Sequence, residues 1–338
     1  MSTHELAEVE RLRRHLAQSR RLYEVRDDGQ GGRHWQEVGP KDFTPLEPEG
    51  DPPPFSAKLF FFAERELLFR FDGGQFYSSL PEVRPQAIFG LHACDLQAIA
   101  YQDRFFAQDP HYQARRHATL LVGVECRESC SNGFCSLVES GPLVGDGLAD
   151  LVLVRRDDAR GWWLRVGSAA GAEAIRELRL PTNLDGCQAT RESNAARVAL
   201  AQLHDRELLD GVAALNAGQV SADTWETLGT HCFGCSGCTQ VCPTCSCFAP
   251  LEQVGASGEV QHERVWDSCL YEGFQAEASG HNPSASPGQR VQRFWLHKFG
   301  EPFREQFGHY GCVGCGRCDR VCPGGIGVHG VIGEVGRP

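Results

Sequence analysis

Residues 232–243 read CFGCSGCTQVCP, and this segment decides the architecture of the second half of the 338-residue chain. Its cysteines follow the spacing C-x2-C-x2-C-x3-C and are followed by proline. The same pattern returns at residues 312–323 as CVGCGRCDRVCP. Glycines lie between the cysteines of both segments, so the backbone can approach a bound group closely. We call residues 232–243 run 1 and residues 312–323 run 2.

The spacing of the two runs is that of two-cluster bacterial ferredoxins, in which the fourth cysteine of each run binds the other cluster. It predicts two [4Fe–4S] clusters with crossed ligation. The expected ligand sets are Cys232, Cys235, Cys238 and Cys322 for one cluster, and Cys312, Cys315, Cys318 and Cys242 for the other. A pair of zinc sites is the alternative, because CxxC pairs also bind zinc. Two complete runs, each with its proline, favour clusters.

The segment between the runs indicates a helical domain. Sixty-nine residues separate Cys242 from Cys312, whereas a short hairpin separates the runs of a compact ferredoxin. Hydrophobic spacing predicts helices at 191–217 and 221–229, the second with Ser221 as its N-cap. No strand is expected after residue 188. We therefore predict an all-helical dicluster ferredoxin domain at residues 189–338.

Residues 1–188 have a different pattern, in which strand-like and helical segments alternate. Short apolar runs predict strands at 59–62, 67–71, 87–91, 119–125, 150–154 and 162–166. Helices are expected at 4–24, 95–107 and 171–179, and the prolines at 47–54 predict a loop. This alternation predicts an α/β or α+β N-terminal domain.

Four cysteines form a second metal-ligand pattern in the N-terminal domain: Cys94, Cys126, Cys130 and Cys135. Cys94 follows the strand at 87–91 and opens a helix, and the other three follow the strand at 119–125. If these strands lie side by side, both loops reach the same edge of the sheet. Four thiols at one edge suit a third [4Fe–4S] cluster or a zinc ion, and we favour the cluster. Buried free cysteines are a weaker alternative, because the loop is polar.

The remaining cysteines are Cys187, Cys245, Cys247 and Cys269. The first is expected to be unliganded in a loop, and the other three either complete a metal site or pack around the first cluster. One face of a predicted helix also carries the basic residues Arg290, Arg293 and His297, with Lys298 adjacent. Such a face either raises the potential of a nearby cluster or is a solvated surface.

The composition excludes several classes of function. The 33 basic and 44 acidic residues give a formal net charge of −11, whereas a nucleic-acid-binding protein is expected to be basic. No apolar segment approaches the roughly 18–20 residues that span a membrane, and the charged N-terminus lacks the apolar core of a secretory signal. We therefore expect no nucleic-acid partner, no membrane insertion and a cytoplasmic location. In such a protein, sixteen cysteines indicate metal ligation rather than disulfides.

Several segments together resemble one known family. They are PPFSAKLFFFAERELLFRF, FGLHACDLQAIAYQDRFF, the loop at 126–135, CPTCSCF, RVWDSC, GHNP and QRFWLHKF. From about residue 40 onward, the chain resembles the iron–sulfur beta subunit of cytoplasmic sulfhydrogenases, which are NADP-linked nickel–iron hydrogenases, and the iron–sulfur A-type subunit of anaerobic sulfite reductase. It departs from the family pattern at His92 and Ala93, where Arg-Pro is usual, and at Ser246, where Phe is usual.

The resemblance implies electron transfer between subunits. Members pass electrons between a flavin-bearing NAD(P)H-binding subunit and a catalytic subunit of the nickel–iron hydrogenase or sulfite reductase type, so these are the implied partners. We expect a non-catalytic electron-transfer subunit, because the sequence contains no evident acid–base pair or flavin motif. The alternatives are the A-type subunit of an anaerobic sulfite or sulfur reductase, a stand-alone iron–sulfur reductase, and a zinc-stabilised scaffold.

Overall fold

The computed structural model describes residues 2–42, 50–156, 161–183 and 186–336. The strands in these ranges are β1 (Thr3–Leu6), β2 (Arg21–Asp27), β3 (Arg33–Val38), β4 (Arg65–Asp72), β5 (Gln75–Ser78), β6 (Gln86–His92), β7 (Thr119–Val124), β8 (Leu151–Arg155), β9 (Trp162–Val166), β10 (Phe248–Val254) and β11 (Val260–Trp266). The predicted Pro-rich loop lies partly outside the described residues, and residues 50–54 of it have no regular structure.

The helices fall into two groups along the chain. The N-terminal group is α1 (Val9–Ser19), α2 (Ala93–Phe105), α3 (Pro110–His117) and α4 (Ala169–Ile175). The C-terminal group is α5 (Cys187–Ala201), α6 (Leu208–Asn216), α7 (Ala222–Thr230), α8 (Gly237–Val241), α9 (Pro287–Phe299), α10 (Glu301–Phe307), α11 (Arg317–Val321) and α12 (Val328–Val335). The predicted fold class, a mixed α/β N-terminal region followed by a helical C-terminal region, is confirmed.

A seven-stranded sheet organises the N-terminal region, with the strand order β1-β9-β8-β7-β6-β2-β3. The four central strands β2, β6, β7 and β8 run parallel, and the outer pairs are antiparallel. Apolar cores cover both faces, which is why β6 and β7 are nearly continuous hydrophobic sequences. The adjacent parallel strands β6 and β7 end at one edge, as the arrangement of the N-terminal cysteines requires.

Two N-terminal predictions were wrong. The predicted helix at 4–24 is β1, α1 and β2, because only Val9, Leu12 and Leu16 keep helical spacing and the chain then joins the sheet beside β6. The predicted strand at 59–62 is a 3₁₀ turn over Ala57–Phe60, since the Ser56 side chain accepts a hydrogen bond from the Lys58 amide and caps the turn.

The C-terminal region packs its helices around a core that includes Trp225, Phe294, Trp295 and Phe299. The predicted helix at 191–217 is divided between α5 and α6. The helix at 221–229 is confirmed as α7, and Ser221 caps it by accepting a hydrogen bond from the Thr224 amide. The boundary at 188/189 remains a prediction.

The expectation of no strand after residue 188 was wrong, because β10 and β11 form an antiparallel hairpin between the runs. The hairpin pairs with the N-terminal strand β4, giving a second sheet with the order β10-β11-β4-β5. Pro250 and several polar residues interrupt the apolar alternation of β10, which a strand at the edge of a sheet tolerates. The two predicted domains therefore share one sheet.

Candidate metal centre

The two runs have the same backbone conformation. Gly234 and Ser236 of run 1 have φ values of 62° and 60°, and Gly314 and Gly316 of run 2 have values of 60° and 67°. These left-handed residues fold each run into a tight turn, which a short helix follows, α8 or α11. The last cysteine of each run directly follows its helix, and the two helices pack against each other.

The first predicted ligand set lines a single cavity. Cys232, Cys235 and Cys238 come from run 1, and Cys322 comes from run 2. The apolar part of the wall is formed by Leu270, Val291, Phe294, Trp295 and Ile326, together with the runs themselves. The structure thus brings the last cysteine of run 2 to the first three cysteines of run 1, as crossed ligation requires.

The second predicted set is brought together in the same way. Cys242 of run 1 faces Cys312, Cys315 and Cys318 of run 2 and helps to raise the pKa of all three thiols, although burial is the larger cause. Cys242 itself accepts a hydrogen bond from the Cys245 thiol, which lowers its pKa. Cys245 therefore lies against a predicted ligand and stabilises its thiolate form.

The chemistry of both donor sets fits an iron–sulfur cluster. Burial raises the pKa of the Cys238 thiol to about 12, and it raises those of Cys312 and Cys318 as well. Thiols bind iron as thiolates, and buried negative groups require positive partners. A bound cluster supplies iron to four thiolates at once, so each set of four cysteines fits one [4Fe–4S] cluster.

Within the described ranges, no three or more His, Cys, Asp or Glu side chains are close enough to hold a single metal ion. The ligands of a four-iron cluster each bind a different iron atom. Their sulfur atoms therefore stand further apart than the ligands of one zinc ion, whose sulfurs all lie about 2.3 Å from the same metal.

The four N-terminal cysteines also converge. Cys94 lies in the first turn of α2, directly after β6, and Cys126, Cys130 and Cys135 occupy the loop after β7. Cys126 interacts electrostatically with Cys130 and Cys135, and Cys94 interacts with Cys135. Burial is the main cause that raises the pKa of each of these thiols. Gln202, which directly follows α5, anchors the loop, and its side-chain amide lies 3.7 Å from the Cys135 sulfur.

This N-terminal site adjoins the second set of the helical region. The charge of Cys315 acts on Cys94, Cys130 and Cys135. The backbones are joined as well, because the Phe134 amide donates a hydrogen bond to the Gly314 carbonyl at 2.9 Å. Twelve thiols thus lie in three neighbouring groups.

A buried ion pair at this junction was not predicted. Arg317 follows Cys315 by two residues, and its guanidinium donates two hydrogen bonds to the Asp95 carboxylate, at 2.7 and 2.9 Å. Its Nε donates to the Pro53 carbonyl at 2.8 Å. The side chains are 0% and 3% exposed. The sequence shows that Asp95 directly follows the predicted ligand Cys94. No local sequence pattern links Asp95 to Arg317.

The predicted basic face on α9 is partly buried. The Lys298 ammonium donates a hydrogen bond to the Thr244 hydroxyl at 2.9 Å. Burial opposes the charged form of Lys298, but Cys242 and Cys245 outweigh it and raise the pKa of the lysine. A second buried lysine, Lys58, lies near the same thiols and was not singled out in the sequence.

The cysteines outside the three groups are divided between two places. Cys187 begins α5 instead of lying in a loop, and it is buried in the apolar core beneath the sheet. Cys245, Cys247 and Cys269 belong to the helical core near Lys298. The predicted alternative was packing around the first cluster, whereas Cys245 lies against Cys242 of the second set.

Comparison with known proteins supports this interpretation. A family described as the 4Fe-4S dicluster domain matches residues 231–326, which include both runs. The chain carries a 4Fe-4S dicluster domain. Sulfhydrogenase 2 subunit beta of Pyrococcus furiosus is 28% identical over 284 residues, covering 82% of both chains. The predicted resemblance to iron–sulfur beta subunits is therefore confirmed, and no solved structure matches.

The dicluster domain and the similarity to a sulfhydrogenase beta subunit support an electron-transfer iron–sulfur subunit. No described helix combines the length and the apolar character needed to span a bilayer.

Proposed function

We propose that the chain holds three [4Fe–4S] clusters and relays electrons within a multisubunit oxidoreductase. The ligand sets are Cys232, Cys235, Cys238 and Cys322 for the first cluster, Cys312, Cys315, Cys318 and Cys242 for the second, and Cys94, Cys126, Cys130 and Cys135 for the third. Such clusters accept and release single electrons at potentials that their surroundings set.

The continuity of the three thiol groups carries the proposal. Run 1 and run 2 exchange their last cysteines, so the first two groups adjoin each other. Cys315 of the second group acts electrostatically on Cys94, Cys130 and Cys135 of the third. A relay needs such a series, whereas a single catalytic site does not.

The protein's own residues would tune the relay by charge and hydrogen bonding. Lys298 and Arg317 place buried positive charge beside Cys242 and Cys315, respectively. Positive charge favours the more negative, reduced form of a neighbouring group, so we place the highest potential at the second cluster.

The partners of the relay are proposed from the relative. Its name describes one component of a sulfhydrogenase. We infer a flavin-bearing NAD(P)H-binding subunit and a hydrogenase-like catalytic subunit for this chain, acting in the cytoplasm. The series has two ends at which partners can dock: Cys235 is exposed at run 1, and Cys130 is partly exposed at the N-terminal loop.

Iron and acid-labile sulfide per chain test the number of clusters. After anaerobic reconstitution, the wild type is expected to hold about twelve iron atoms and the Cys94→Ser variant about eight, because only the third cluster loses a ligand. Cys187→Ser is the matched control and should retain about twelve iron atoms, since Cys187 belongs to none of the three sets. About eight in both the wild type and Cys94→Ser would contradict the third cluster.

Activity of the isolated chain tests the relay. The oxidised protein should not oxidise NAD(P)H by itself, and the chemically reduced protein should not turn over sulfite by itself. Addition of a flavin-bearing partner to the oxidised protein should allow NAD(P)H to reduce its clusters. The visible absorbance of the clusters reports this reduction directly. Rapid NAD(P)H oxidation by the isolated chain would contradict the proposal.

A further inference from the structure

Two thiols outside the three ligand sets contact each other at the open end of the β10–β11 hairpin. Cys247 immediately precedes β10, and Cys269 follows β11 by three residues. The Asp267 amide donates a hydrogen bond to the Cys247 carbonyl at 3.0 Å, which keeps the two chain segments together. The thiol and the backbone amide of Cys269 both donate hydrogen bonds to the Cys247 sulfur.

The surroundings of the pair are positively charged. Lys298, Arg293 and Lys58 all act electrostatically on Cys247. Lys298 is 4% exposed, and no salt bridge to a carboxylate is found for it among the described residues. The Nη1 atom of Arg293 is buried and has no hydrogen-bond partner among the described residues. Buried cations require a negative partner, and a thiolate at Cys247 meets that requirement.

The two thiols differ in the way that a nucleophile and a resolving thiol differ. Hydrogen bonds from Cys269 lower the pKa of Cys247 to about 6, while the same interaction and burial raise the pKa of Cys269. Cys247 is partly exposed and Cys269 is buried. A thiolate that solvent can reach attacks disulfides, and an adjacent protonated thiol resolves the mixed disulfide.

We propose that Cys247 and Cys269 form a redox-active dithiol that exchanges reversibly with a low-molecular-weight disulfide. The Cys247 thiolate attacks one sulfur of the external disulfide, so that a mixed disulfide forms and one external thiolate leaves. Cys269 then loses its proton and attacks the Cys247 sulfur, which closes the internal disulfide and releases the second external thiolate. The protein loses two electrons and the proton of Cys269, and the two external thiolates become thiols by taking up that proton and one more from solvent.

The exchange would change the charge beside the proposed relay. Cys247 interacts electrostatically with Cys245, whose thiol hydrogen-bonds to Cys242. Closing the disulfide removes the thiolate that faces Lys298 and leaves the lysine charge uncompensated on that side. This consequence rests on the proposed function, but the exchange between the two thiols does not.

Redox-dependent alkylation of the full-length, cluster-loaded protein tests the exchange. The protein is equilibrated anaerobically in buffers of increasing oxidised-to-reduced glutathione ratio, alkylated, and analysed by peptide mass spectrometry. Cys247 and Cys269 are expected to become protected together at one ratio, with loss of two alkylatable thiols per chain. In Cys269→Ser, one glutathione should accumulate on Cys247, and in Cys247→Ser neither protection nor an adduct should appear.

The controls separate this proposal from other roles of the two thiols. Cys187→Ser should show the wild-type transition, because Cys187 packs in the N-terminal core and not beside the pair. Iron per chain should be unchanged in Cys247→Ser and Cys269→Ser, and a loss of about four iron atoms would identify the two as cluster ligands and overturn the proposal. Complete alkylation of both cysteines in the wild type at every glutathione ratio would also overturn it, even if the variants fail to fold.

Discussion

Run 1 and run 2 have the same cysteine spacing and the same turn, but they lie in opposite environments. The residue after the first cysteine is Phe233 in run 1 and Val313 in run 2, and these are 74% and 2% exposed. The residue before the third cysteine is Gly237 in run 1 and Arg317 in run 2. Run 1 thus faces outward, and run 2 is buried against the N-terminal region.

The comparison separates what ligation requires from what the neighbouring structure requires. Cysteine spacing and left-handed residues are shared, because each run must fold around a bound group. The residues between the cysteines differ, because run 2 also forms the contact with the N-terminal site. Arg317 and Gly314 serve that contact, whereas Gly237 and Gly234 have no equivalent partner.

The proposed exchange of the last cysteines is the shared feature whose loss should have the largest effect. Cys242→Ser should damage the cluster of run 2, and Cys322→Ser should damage that of run 1, with loss of up to about four iron atoms in each variant. Electron paramagnetic resonance of the reduced protein distinguishes the two clusters. If each substitution instead perturbs the signal of its own run, crossed ligation is wrong and the runs are independent sites.

Arg317 should be the most important difference between the runs for stability. Arg317→Met leaves the Asp95 carboxylate buried without a partner, which should lower the free energy of unfolding by about 3–5 kcal/mol. Thermal unfolding under anaerobic conditions measures the effect. The double variant Asp95→Leu with Arg317→Met should recover most of the loss, because neither charge then remains.

Gly237→Ala is the matched control for this change at the equivalent position of run 1. An added Cβ there meets no atom closer than 3.8 Å, so the free energy of unfolding should change by less than about 0.5 kcal/mol. Equal effects of Arg317→Met and Gly237→Ala would show that the ion pair does not distinguish the runs.

Gly314 and Gly234 provide a smaller but closely matched test. Both have φ near 60°, so alanine at either position costs about 1–2 kcal/mol from the left-handed backbone. At Gly314 the new Cβ would also lie 2.7 Å from the Cys135 backbone, whereas at Gly234 its nearest neighbour is 3.9 Å away. Overpacking should therefore add about 1–3 kcal/mol in Gly314→Ala alone.

The same thermal unfolding experiment compares these two glycine variants. Gly314→Ala should also disturb the iron content of the N-terminal site, while Gly234→Ala should not. Equal decreases in the free energy of unfolding would mean that only the backbone conformation matters. The contact between run 2 and the N-terminal loop would then accommodate the added Cβ without loss of stability.

The features predicted from sequence are those that local chemistry determines. The convergence of the cysteines of both runs follows from their spacing, and the convergence of Cys94 with the loop at 126–135 follows from two adjacent apolar strands. The Arg317–Asp95 pair joins residues that are 222 apart in the chain, so no local pattern indicates it. The burial of Lys298 was also not predictable, because a charged side chain is expected to be exposed. Only the three-dimensional structure shows the thiols that surround it.

The β10–β11 hairpin was missed for a related reason. Its strands contain proline and charged residues, which are tolerated because β10 is an edge strand. The strand that pairs with β11 on its other side, β4, comes from the distant N-terminal region. Pairing with β4, rather than a strong pattern of its own, accounts for the hairpin. Strand predictions for β6, β7, β8 and β9 succeeded because these strands are buried on both faces.

His329 offers the smallest and most specific difference between the runs. The residue after the third cysteine is Thr239 in run 1 and Asp319 in run 2, and the Asp319 carboxylate lies 2.9 Å from His329 Nδ1. This hydrogen bond raises the pKa of His329, with a further contribution from Asp205, although partial burial opposes the charged form. Because the folded-state pKa is raised, the stabilisation is complete below the unfolded pKa of about 6.5 and is lost as pH rises through the folded value.

Stability measured as a function of pH tests this contact. The wild type should exceed His329→Gln in free energy of unfolding by less than about 1 kcal/mol at about pH 6, since the histidine is partly exposed. The difference should shrink as pH rises through the raised folded-state pKa, because the imidazole is then neutral in both states. Thr239→Ser, a conservative change at the equivalent position of run 1, should introduce no pH dependence. A difference between wild type and His329→Gln that stays constant with pH would show that His329 acts by packing, and that the charge contact of run 2 has no energetic consequence.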